Sequence, residues 1–130
     1  MNAQDMQHRM MQFIVRIVNL FRALPKTEEA RIIGKQMLRS GTSTAANYRA
    51  ACRARSKPEF ISKIGLVVEE ADETVFWLEV LTEVNIVHPT KMKSLIHEAN
   101  ELLAIVAASQ KTAKRRQNIP PKSEKIPNPQ

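Results

Sequence analysis

Four prolines, Pro25, Pro58, Pro89 and Pro120, stand 33, 31 and 31 residues apart in this chain. Proline lacks an amide hydrogen and its ring clashes with the preceding helical turn, so it starts or ends a helix and is seldom found inside one. The stretch before Pro25 and the three intervals between these prolines hold four segments with helical periodicity, roughly 5–24, 27–55, 57–84 and 89–116. Connections of two to five residues force sequential helices to run antiparallel. The predicted fold is therefore all-α, an antiparallel up-down-up-down four-helix bundle. With only 3 Gly among 130 residues, turn formers are too few for the many short strands of a sandwich or barrel. The stretch 117–130 has four Pro and few core formers, and is expected to be an extended or disordered tail beyond the bundle of residues 1–116.

Local chemistry supports these boundaries. Ser56-Lys57-Pro58-Glu59 has the capping-box spacing, and Thr27 followed by Glu28 and Glu29 supplies a cap and then acids on the positive end of the helix dipole. In the third segment Ile61, Ile64, Val68, Ala71, Val75 and Leu78 recur at steps of three and four, the heptad spacing of a left-handed bundle. Met92, Leu95, Ala99, Leu102 and Val106 do the same in the fourth. The first offers Met6, Met10, Phe13, Ile17, Leu20 and Leu24. The second is different. Its seam passes through Ile33, Met37, Ser40, Thr44, Asn47 and Ala51, and the middle positions are small or polar residues that let another helix approach closely and whose buried groups need hydrogen-bond partners. A polar core layer of Ser40, Ser43, Thr44 and Asn47 with Glu70 from the third helix is the expected arrangement, and it fixes register.

Two charged faces lie outside the core. On a helical wheel Arg31, Lys35, Arg39, Arg49 and Arg53 form one stripe, about 33 Å long at 1.5 Å per residue. That length suits several phosphates of RNA or DNA, and the net charge of +7 favours a polyanionic partner. Tyr48 is the one aromatic near the stripe, which gives little support to base stacking there. An acidic partner protein is the alternative, with the chain acting as a docking scaffold. The third segment carries Glu69, Asp72, Glu73, Glu79 and Glu83, and Phe76 and Val80 fall among these acids. Apolar residues ringed by carboxylates suggest a surface for another subunit. Glu69, Asp72, Glu73, Phe76 and Val80 are thus the expected oligomer interface, a heterologous contact that builds rings.

Catalytic chemistry finds little footing. A di-iron bundle needs Glu-x-x-His pairs, and His8, His88 and His97 do not follow a Glu at that spacing. Cys52 is the one cysteine, which rules out an intramolecular disulfide and a cysteine-based zinc site. No cofactor, metal or enzymatic activity is expected. The best apolar run, residues 13–21, is broken by Arg16 and Asn19, so no membrane span is expected. Residues 1–11 lack the basic start and apolar run of a signal peptide, and the expected location is the cytoplasm.

The stretch Arg39 to Ala51, RSGTSTAANYRAA, then Arg55-Ser56-Lys57, Phe60, Lys63-Ile64, and EEADETVFWLEVL from Glu69 to Leu81, closely resembles the four-helix-bundle proteins encoded within 23S rRNA intervening sequences. The resemblance covers all but the two ends of the chain. It implies an up-down bundle that assembles as a ring-shaped homopentamer, with no known enzymatic activity. The accessory proteins of diversity-generating retroelements are similar, and they bind nucleic acid and a reverse transcriptase through a basic surface. Ser43, Asn47, Glu70 and Trp77 match positions of the family pattern, with structural rather than chemical meaning.

Overall fold

In the computed structural model, which describes residues 1–117, the chain forms four helices: α1 (Ala3–Ala23), α2 (Glu28–Cys52), α3 (Lys57–Glu83) and α4 (Pro89–Gln117). Among the described residues there is no strand. The expected tail lies, from residue 118 on, outside them.

Each helix starts where a side chain can take up free amide groups. Ser56 Oγ accepts from the Glu59 amide and Thr27 Oγ1 from that of Ala30. α1 begins two residues earlier than the apolar pattern suggests, because Asn2 and Asp5 form a reciprocal capping box. His88 Nδ1 accepts from the Thr90 amide ahead of the first turn of α4. α2 stops at Cys52, three residues short of the expected 55, with the Arg53 amide returning to the Ala50 carbonyl. At the end of α3, Asn85 takes a left-handed conformation (φ 63°), and the amides of Asn85 and Ile86 turn back to the carbonyls of Thr82 and Leu81. This is a Schellman closure, with Asn where Gly is commonest.

Sequential helices pack antiparallel, and α1 meets α4 least. The core runs through Met6, Met10, Phe13 and Ile17 of α1, Met37 of α2, Ile64, Val67, Leu78 and Leu81 of α3, and Met92, Leu102 and Val106 of α4. Each such large side chain contributes roughly 1.5–3 kcal/mol on leaving water. α1 is drawn close to α2 at two glycines. A methyl at Gly34 would lie 2.6 Å from Leu24 Cδ1, and one at Gly41 would lie 3.3 Å from Ile17 Cγ2. The small residues of α2 therefore admit α1, which is what their size allowed.

The polar layer differs in membership from the expectation. Ser40 and Thr44 are buried, but Ser43, Asn47 and Glu70 are only partly covered and stand at the flanks. Gly34, Gly41 and Tyr48 share the buried face of α2 instead of Ile33 and Asn47, because α2 turns its glycines toward α1. The partner across the α2–α3 interface is Thr74, whose Oγ1 lies 3.0 Å from Ser40 Oγ and 2.7 Å from the Glu70 carbonyl. Ser40 donates to the Met37 carbonyl and Thr44 to the Ser40 carbonyl. These hydrogen bonds satisfy the layer within the bundle.

Candidate nucleic-acid interface

The five cations of the α2 stripe are all exposed, yet they do not make one surface. Arg39, in the middle, leans onto α3. Its guanidinium donates to Glu70 Oε1 at 3.2 Å and to Glu73, while its Nε donates to Gln36. Glu73 also accepts from Trp77 Nε1 at 2.9 Å. The indole hydrogen bond, with help from Arg39, holds the Glu73 carboxyl below its usual range, and Glu73 in turn raises the Arg39 pKa. Two of the acids on α3 are thereby answered within the same chain, and Arg39 is an intramolecular clamp more than a free cation.

What remains of the stripe is split between the two ends of α2. Arg31 and Lys35 flank the α1–α2 turn, where with Phe21, Leu24, Pro25, Lys26 and Ala30 they line a cavity of about 200 Å³. Arg49 and Arg53 are nearly a helix length away. They edge a groove of about 580 Å³ between α1 and α2 whose floor includes Met11, Ile14, Ala45 and Ala46. Neither arginine forms an ion pair among the described residues.

The antiparallel topology then adds what helical periodicity could not show. The end of α2, the start of α3 and the end of α4 share one end of the bundle. Residues 49–63 hold five basic residues to one acid, and residues 105–117 hold four to none. The acid, Glu59, has its carboxylate 3.1 Å from the Arg55 amide and 3.8 Å from the Arg55 guanidinium. Between Lys63 and Lys91 the balance reverses, with no Lys or Arg at all. The molecule therefore has a basic end and an acidic flank.

On that flank Glu69, Asp72, Glu79 and Glu83 are exposed and form no ion pair among the described residues, and Glu73 is partly covered. Phe76 is 53% exposed, its ring edge-on to Trp77 at 4.9 Å, and Val80 is partly covered. Phe76 thus projects outward instead of packing under a neighbouring helix of its own chain. Elsewhere Arg9 joins α1 to α4 by donating to Glu98 and Glu101. Among the described residues no three His, Cys, Asp or Glu gather as a metal site. None of their helices is long and apolar enough to cross a membrane.

The family model described as 23S rRNA-intervening sequence protein matches residues 3–108. A crystal structure of a protein of unknown function from the S23 ribosomal protein family of Bacteroides thetaiotaomicron is similar at 33% identity. The match covers 85% of this chain and 99% of that one, with a TM-score of 0.79. No curated protein matches.

Proposed function

The chain belongs to the 23S rRNA-intervening sequence protein family, and from that premise and its charge map we propose that it works without catalysis, as a ring of identical subunits that binds RNA or DNA phosphates. A pentamer is the ring size that the family resemblance implies. The observation that carries the nucleic-acid reading is the pair Arg49 and Arg53. They are exposed, free of carboxylate partners among the described residues, and part of a bundle end where residues 49–63 and 105–117 together hold nine basic residues to one acid. Side chains of this kind neutralise phosphates and release condensed counterions, which gives affinity without sequence preference. Arg31 and Lys35 extend the surface along α2. Arg39 contributes less, since contact with phosphate would compete with Glu70 and Glu73. The ring reading rests on Phe76 and Val80 among Glu69, Asp72 and Glu73.

A salt titration of oligonucleotide binding tests the first part. The logarithm of the affinity of the wild-type protein should fall linearly with the logarithm of salt concentration. Arg49→Glu with Arg53→Glu should reduce the slope by about one per lost contact, with helicity unchanged. Absence of binding at about 50 mM salt, where non-specific electrostatic attraction is strong, would overturn the reading and leave docking of an acidic protein.

A further inference from the structure

Phe60 lies at the basic end, half-buried, where two grooves meet. One, of about 440 Å³, runs between the α2–α3 turn and the last turns of α4, with Arg55, Ser56, Lys57, Ala113 and Arg116 around it. The other, of about 410 Å³, continues along α4 past Ile105, Ala108 and Thr112. Phe60, Ala113 and Arg116 are common to both, so an apolar floor passes beneath a cationic rim. Arg55, Lys57 and Arg116 are exposed, and the Arg55 side chain is 91% exposed.

We propose that this double groove is a site for single-stranded nucleic acid, with a base lying against Phe60 and its neighbouring phosphates held by Arg55, Lys57 and Arg116. The proposal rests on the nucleic-acid reading and gives it a place and a strand preference. Three properties favour this occupant. Every base has a π-face that an aromatic ring can hold irrespective of sequence, and channels for single strands pair such rings with cations. A duplex hides its base faces and cannot use Phe60. The groove also has the volume of a small-ligand site. The chain's own segment 118–130 carries two Lys against one Glu, so the rim repels it more than it attracts it.

The test uses the full chain and two fluorescent probes, a twelve-residue oligo-dT strand and a duplex of the same length. Phe60→Leu should weaken the single strand about tenfold and leave the duplex nearly unchanged, in line with the cost of losing one stacked base. Lys57→Glu with Arg116→Glu, at exposed positions where folding is not at stake, should lower the salt slope by about two. Phe60→Trp should add an indole emission that the oligo-dT quenches at the concentrations where anisotropy reports binding. The proposal is overturned if strand and duplex bind equally to all variants, or if the emission added by Phe60→Trp is indifferent to bound strand. It is also overturned if the Lys57 and Arg116 changes break the oligomer, which would make the groove a contact between copies. Retained binding that depends on Arg49 and Arg53 alone sinks this site and spares the broader reading. Loss of all binding by the wild type sinks both.

Discussion

Arg9 is the side chain that ties the least-packed edge of the bundle. Its guanidinium grips Glu98 with two hydrogen bonds of 2.7 Å and reaches Glu101 at 2.9 Å, joining α1 to α4. The Arg9 hydrogen bonds hold the Glu98 carboxyl below its usual range, against the opposing effect of burial. A carboxylate whose folded pKa is depressed stabilises the fold above its unfolded value, about 4.3, and loses that contribution as pH falls through the folded one. Arg9→Met should therefore cost about 1 kcal/mol at pH 7, the upper range for a partly exposed pair. The difference from wild type should shrink below about pH 4. Urea unfolding at neutral and acid pH measures it, and an undiminished cost at low pH would show that Arg9 acts by packing alone. This pairing was not legible in the sequence, because nothing local to α1 or α4 signals that Arg9 lies against Glu98 and Glu101. Thr74 was hidden in the same way. A Thr inside an acidic helix carries no signal of burial until α2 is placed against it.

At the scale of the helix, boundaries were legible because their causes are local: the prolines, Ser56 with Glu59, Thr27, and the apolar steps of three and four. The rotation of α2 was harder. Ser, Gly and Thr are compatible with both core and surface, so the expected seam shares Met37, Ser40, Thr44 and Ala51 with the observed buried face but has Ile33 and Asn47 where Gly34, Gly41 and Tyr48 are buried. The glycines are the key to that rotation, and they differ from each other in a measurable way. At Gly41 a new side chain meets Ile17, which is stiff, β-branched and fully buried. At Gly65, inside α3, a methyl meets only the amide nitrogen of Gln110, the end of a flexible chain. Gly65→Ala should raise stability by up to about 1 kcal/mol through helix propensity. Gly41→Val should lower it by about 2 kcal/mol, as overpacking does. Thermal unfolding of the two variants checks both signs. A Gly41→Val protein as stable as wild type would mean that α1 does not approach α2 closely.

Across the whole molecule charge is sorted by position, and the sorting follows from folding more than from any one segment. Residues 49–57 and 111–116 are far apart in sequence, so the basic end formed by them was not legible as a site. The α2 stripe was legible as a pattern but not as a surface, since α3 captures its central arginine. The acidic flank was easier to read, being one helix face, and it limits how copies can meet. A two-fold contact through Phe76 would bring Glu69, Asp72 and Glu79 against themselves, and like charges brought together in an interface oppose association. The same face set against a cationic surface of another copy is favourable, and such a heterologous contact closes into a ring when its rotation permits. Phe76, 53% exposed, would supply the buried centre and the acids the rim. Phe76→Glu with Val80→Glu places two charges in that centre, and should turn the oligomer into a 14.8 kDa monomer with unchanged helicity. Arg49→Glu with Arg53→Glu should leave the assembly intact if those arginines face nucleic acid, and should break it if they face the acids of a neighbour. Sedimentation of wild type and both variants decides this. A wild-type monomer, or an oligomer indifferent to Phe76 and Val80, removes the flank from the assembly.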